Sequence, residues 1–156
     1  MTNVGAMLEA RKASVWRNRY AITDDGRPLA TWDGSSWKAG SSFELEARRF
    51  VVRANVWGNR YGMVDQYGVP IASADGVGRK RWTVDADGRT YHFQRASVWR
   101  SEEELHSEGR RVGSVRRTSI WRGGAVADLP GLPLPVAVFV LGVVLTMWDS
   151  AAVAAG

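Results

Sequence analysis

The segment Leu132–Trp148, LPLPVAVFVLGVVLTMW, runs seventeen residues without a charge. From Val136 onward only Thr146 interrupts an apolar surface that shows no amphipathic stripe. Pro135 suits the first turn of a helix, where its missing N–H costs nothing. A helix that is hydrophobic on every side must be enclosed, by protein or by lipid. Length and composition by themselves suit a short transmembrane span. Three details favour protein. Two prolines sit in the first four residues, and only Asp149, with no Lys or Arg, follows the run. Val, Gly and Ala also alternate with Phe139, Leu141, Leu145 and Met147, a mixture of sizes that interlocks with surrounding side chains.

The preceding sequence carries an internal repeat. KASVW ending at Trp16, RANVW at Trp57, RASVW at Trp99 and RTSIW at Trp121 are four versions of one phrase. The residues after the first three copies are also related, so that Ile22 aligns with Leu105, Gly26 with Gly109 and Leu29 with Val112. The unit reads as a basic residue, a strand ending in Trp, a short strand, a Gly turn and another strand. A period near 42 also suits a propeller blade, but three copies cannot close a ring of blades.

Local patterning indicates strands. FELEA (43–47) places Phe43, Leu45 and Ala47 on one face, and FVVRANV (50–56) places Phe50, Val52, Ala54 and Val56 together. The parity changes between Ala47 and Phe50, which predicts a tight turn near Arg48-Arg49. A second change between Tyr91–Phe93 and Ala96–Val98 predicts a bulge or bend near Arg95. Turn signals recur at DDG (24–26), DQYG (65–68), DG (75–76), DADG (85–88) and SEG (107–109). About a dozen short strands at this spacing predict a mainly β (α+β) fold, an antiparallel barrel or sandwich.

Geometry joins the two halves. Twelve strands about 4.8 Å apart and tilted by about 36–40° close a barrel of about 11–12 Å backbone radius. After inward side chains take about 5 Å, room remains for one helix about 10–12 Å across. A void of that size is not tolerated in a native core. The expected architecture is therefore a closed antiparallel barrel over residues 10–152, with 133–152 as a buried central helix and 1–9 as a lead-in.

The units YAITDDGRPLA and LHSEGRRVGSVRR, followed by a proline-introduced apolar C-terminal helix, resemble the tubby C-terminal-like superfamily, which includes tubby domains, LURP-one-related proteins and phospholipid scramblases. The resemblance implies a twelve-stranded barrel threaded by a hydrophobic helix, and is nearest to short single-domain bacterial members. It implies phosphoinositide binding or lipid scrambling only at the level of kinship. The chain departs from the scramblase pattern, because it has no cysteine and begins almost at the first strand.

Charge narrows the partners. All 21 Lys and Arg but only 14 of the 16 acidic residues precede residue 123, which leaves that part at +7, and arginine dominates. Such a surface attracts anions. Three clusters are candidates for ligand contact: Arg48-Arg49, Arg79-Lys80-Arg81, and Arg110-Arg111 with Arg116-Arg117. The alternative is that they sit on separate turns and only solvate the barrel. Anionic phospholipid, a membrane surface or a protein are the expected partners, with nucleic acid the least favoured.

No enzyme is expected, since no nucleophile elbow, phosphate loop or paired-histidine motif occurs. No metal or cofactor is expected either: DADG (85–88) lacks the downstream ligands of a calcium loop and reads as a hairpin turn. His92 falls on the polar parity and reads as a surface residue. Trp16, Trp57, Trp99 and Trp121 are expected at strand ends or rims, while Trp32, Trp37 and Trp82 are divided between core packing and an aromatic contact surface. Without cysteine or a visible signal peptide, the expected location is cytoplasmic, at most peripheral at a membrane. A tail-anchored protein with a cytosolic β domain is the alternative.

Overall fold

The computed structural model describes residues 7–13, 19–33, 41–97, 100–119 and 123–155. Its strands are β1 (Met7–Lys12), β2 (Arg19–Asp24), β3 (Arg27–Asp33), β4 (Ser41–Leu45), β5 (Arg48–Ala54), β6 (Arg60–Asp65), β7 (Pro70–Asp75), β8 (Arg81–Ala86), β9 (Arg89–Ser97), β10 (Arg100–Ser107), β11 (Arg110–Ser119) and β12 (Gly124–Asp128). One helix, α1 (Leu134–Ala155), follows. The strands form one antiparallel sheet in the order β3-β2-β1-β12-β11-β10-β9-β8-β7-β6-β5-β4. Its two outermost strands, β3 and β4, lie beside each other, so the sheet curls into a nearly closed barrel. β1 begins at Met7, inside the expected lead-in.

β4 and β5 alternate as the sequence indicates. Phe43 and Leu45 on β4 and Phe50 and Val52 on β5 point inward and are buried, and Phe43 and Phe50 are register partners that stack at 5.1 Å. Val56, expected on the same inward face, lies beyond the end of β5 and is exposed. Ile22, Met63 and Leu105, equivalent positions of the three repeats, are all buried. Leu29 and Val112 are not equivalent, for Leu29 packs on the core while Val112 is exposed.

The β4–β5 turn corrects an expectation. It is formed by Glu46 and Ala47, both at positive φ (51° and 63°), so Arg48 and Arg49 belong to the strand and Ala47 leaves the inward face. This two-residue turn twists with the flanking strands, as do Asp25-Gly26, Asp87-Gly88 and Glu108-Gly109. Glu46-Ala47 lacks the Gly or Asn that normally marks such a turn, so no residue there signals it. The predicted irregularity near Arg95 is present: the β9–β10 register shifts between the pairs Glu103↔Arg95 and Arg100↔Ser97.

The helix occupies the interior. Every residue from Val136 to Thr146 is buried, and eleven consecutive residues make three turns, so all faces are covered. Each of its fully buried large side chains contributes about 1.5–3 kcal/mol. At Gly142 the fit is closest, because an added Cβ would lie 2.5 Å from the Trp32 indole. Thr146 accepts a hydrogen bond from Trp32 Nε1 at 3.2 Å, which satisfies the buried indole N–H. Further along, the Tyr20 hydroxyl donates to the Asp149 carboxylate at 2.8 Å. Burial raises Asp149 above the usual carboxylate range, opposed by that hydrogen bond and by the charges of Lys12 and Arg117.

Candidate anion-binding surface

The antiparallel order gives the barrel two dissimilar ends. At the end where α1 enters, the hairpin turns carry Asp24, Asp25, Glu46, Asp65, Asp87 and Glu108, balanced by Arg27, Arg48, Arg49, Arg89, Arg110 and Arg111 at the starts of the following strands. The opposite end receives the β5–β6 and β7–β8 connections and the C-terminal part of α1. There the leading cations of the four repeated phrases, Lys12, Arg53, Arg95 and Arg117, come to the ends of β1, β5, β9 and β11. Sequence reasoning identified this repeated basic position without placing the copies at one end, which requires the strand pairing.

These repeated cations also serve the interior. Arg117 lies over the Trp148 ring at 5.0 Å. Arg95 Nε lies 3.7 Å from the carboxylate of Glu103, which is 1% exposed and accepts from Trp82 Nε1 at 2.7 Å. Burial pushes the Glu103 carboxyl up, with the Trp82 hydrogen bond and the Arg95 charge opposing it. Trp82 stacks on Phe93 at 4.5 Å. Trp32 and Trp82 are therefore core residues, not contact surface. Trp57 is 84% exposed. Trp16, Trp37, Trp99 and Trp121 lie outside the described residues.

Arg95 fixes the β7–β8 connection as well. Its N–H donates to the Lys80 carbonyl at 2.8 Å and its guanidinium to the Gly78 carbonyl at 3.1 Å. Val77 N–H donates to the Asn59 carbonyl at 3.0 Å, which joins this connection to the β5–β6 turn. The cluster Arg79-Lys80-Arg81 is thus presented from a backbone held at several points.

Beside it, on the outer face of β8 and β9, is a groove of about 460 Å³. Its polar lining comprises Arg79, Arg81, Thr83, His92, Gln94 and His106, together with Asn59 and the Arg60–Asp75 ion pair. Trp82 faces inward, so its neighbours Arg81 and Thr83 face outward, and the register places His92 between Thr83 and His106. The carboxylates nearby already have partners: Asp75 meets Arg60 at 3.4 Å, and Glu104 meets His106 at 3.1 Å and Arg111 at 3.5 Å. Guanidinium, imidazole, hydroxyl and amide groups facing one hollow can hold an oxyanion through several hydrogen bonds.

The other predicted cations are dispersed. Arg48 and Arg49 lie where α1 enters and point to opposite faces, with Arg48 over the Phe50 ring at 5.0 Å. Arg110 and Arg111 lie at the same end but on β11, six strands away, and Arg111 is held by Glu102 at 3.1 Å. Arg116 and Arg117 are six residues along β11 from Arg110 and Arg111, about 20 Å by strand rise. They face opposite sides of the sheet, Arg116 outward and exposed.

No family model matches the chain, and no curated protein matches it in sequence. Among solved structures, an X-ray structure of a protein from Arabidopsis thaliana, AT5G01750, is similar at 15% identity and a TM-score of 0.41, covering 95% of this chain and 93% of that one.

Proposed function

We propose that this is a non-enzymatic binding protein of the tubby-like kind, whose cationic end engages anionic phospholipid headgroups from the cytoplasmic side. The observation that carries the reading is the outer groove beside β8, where Arg79 and Arg81 have no ion-pair partner among the described residues and stand over hydroxyl, amide and imidazole groups. The twelve-stranded barrel around an apolar C-terminal helix supports the kinship. The carboxylates in and beside the groove, Asp75 and Glu104, are ion-paired, which leaves the charge of Arg79 and Arg81 for a ligand. A lipid reading also accommodates the difference between the two ends, since the cationic end faces a negative surface while the end of balanced charge faces away.

Flotation with vesicles of phosphatidylcholine alone and with added phosphatidylserine tests this. Binding should need the anionic lipid. The double substitution Arg79→Gln and Arg81→Gln should weaken it by about 30-fold, taking about 1 kcal/mol for each cation near the surface. Equal failure on both vesicle types removes the lipid reading and leaves a protein ligand. Should the double variant bind like the parent, the groove is not the site.

A further inference from the structure

The β5–β6 turn, Asn55–Asn59, presents Val56 and Trp57 to solvent, 86% and 84% exposed. Adjacent large apolar side chains so exposed are a liability unless something covers them. The turn beneath them is firmly built. Asn55 Oδ1 accepts from the N–H groups of Asn59 and Arg60, each at 3.1 Å, and its Nδ2 donates to Asn59 Oδ1 at 2.7 Å. Gly58 N–H donates to the Asn55 carbonyl at 3.1 Å, and Gly58 itself holds a φ of 69° that a residue with a side chain would resist. The pair is displayed, not frayed.

Its surroundings say what covers it. The bond from Val77 to Asn59 places the β7–β8 connection, which carries Arg79 and Lys80, beside the turn, and Arg95 lines a hollow shared with Val56 and Trp57. Asp75, the acidic residue of this sector, is engaged by Arg60. Between the turn and α1, a hollow of about 440 Å³ continues the apolar surface through Tyr61, Val77 and Met147. A Trp-Val tip on a rigid turn, with cations on the neighbouring connection, matches the boundary of an anionic bilayer, where indole rings settle at headgroup depth and cations meet phosphates.

We infer that Val56 and Trp57 insert into the interface of an anionic membrane and orient the barrel with the C-terminal end of α1 toward the lipid. This rests on the headgroup reading above and adds a second, apolar contact to it. The chain has no cysteine, so Val56→Cys can be labelled with an environment-sensitive fluorophore at a single place, with Tyr67→Cys at the opposite end as control. With phosphatidylserine vesicles, the label at 56 should shift to the blue and be quenched by lipids carrying a shallow spin label, and the label at 67 should do neither. In unlabelled protein, Trp57→Ala should weaken vesicle partitioning by about tenfold, the loss expected when one large apolar side chain is withheld from an apolar phase. Vesicle binding with an unshifted label at 56 and an unaffected Trp57→Ala variant overturns the insertion while leaving the headgroup reading intact. Absence of any vesicle binding overturns both.

Discussion

Substitution of Gly142 by Ala separates an enclosed helix from an exposed one by the sign of its effect. On a helix surrounded by water or fluid lipid, Gly→Ala stabilises by about 1 kcal/mol through propensity. Here the new Cβ would sit 2.5 Å from Cδ2 and Cε3 and 2.6 Å from Cε2 of Trp32. Carbon atoms rest at about 3.5–4.0 Å, so the indole must retreat by about 1 Å. It has little freedom to do so. Trp32 is 1% exposed, lies against Phe43 at 6.1 Å and donates its N–H to Thr146. Overpacking of this kind costs about 1–3 kcal/mol, and a weakened hydrogen bond adds about 1 kcal/mol. After the propensity gain, a net loss of about 1–3 kcal/mol remains, or about 2–12 °C in Tm at this chain length. A circular-dichroism melt reads it. Combining Gly142→Ala with Trp32→Phe should cost less than the sum of the two, because the smaller ring clears the methyl group. A Tm equal to or above the parent's for Gly142→Ala refutes the packing described here.

Other contacts make separate predictions. Tyr20→Phe removes the donor to half-buried Asp149 and should lower stability by about 1–3 kcal/mol in a denaturant titration. A change below about 0.5 kcal/mol would show that water replaces the phenol freely. Thr146→Val leaves the buried Trp32 N–H without its acceptor and should cost about 1–3 kcal/mol despite its matched shape. A neutral result would point to another acceptor. Glu103 supplies a pH dependence: its folded-state pKa lies above the ordinary value of 4.5, so its contribution is full below that value and is lost as pH rises through the folded pKa. The stability of Glu103→Gln relative to the parent should therefore rise with pH from about 4.5 upward, and a difference constant from about pH 4 to pH 7 would contradict this.

Much of the barrel was legible because its strands are amphipathic. Phe43, Leu45, Phe50 and Val52 alternate without exception, and the repeat by itself assigns Ile22, Met63 and Leu105 one inward role. The helix was legible from the opposite property, its lack of any polar face. The parity change announced the β4–β5 turn but not its residues, Glu46-Ala47, since residues without a special preference adopt positive φ there under the constraint of the flanking strands. Grouping Arg110-Arg111 with Arg116-Arg117 failed for a related reason: nearness in sequence along an extended strand is distance in space. The sorting of charge between the two ends could be read only after pairing was known. The hairpin turns that pair acids with arginines then fall at one end and each repeated cation at the other. Trp57 reads in the sequence as one more copy of a repeated structural position, and its exposure became visible only in the structure.

Truncation after Gly131 tests most directly whether α1 is the core of the barrel. Without the helix, the strands lose the partner of nearly every inward side chain, and residues 1–131 should aggregate or show no cooperative melt. Adding the helix segment back on the chain should restore a single transition. A truncated protein that stays in solution, melts cooperatively and keeps the parent's β-sheet spectrum would contradict the account, because it would show a barrel that does not need the helix.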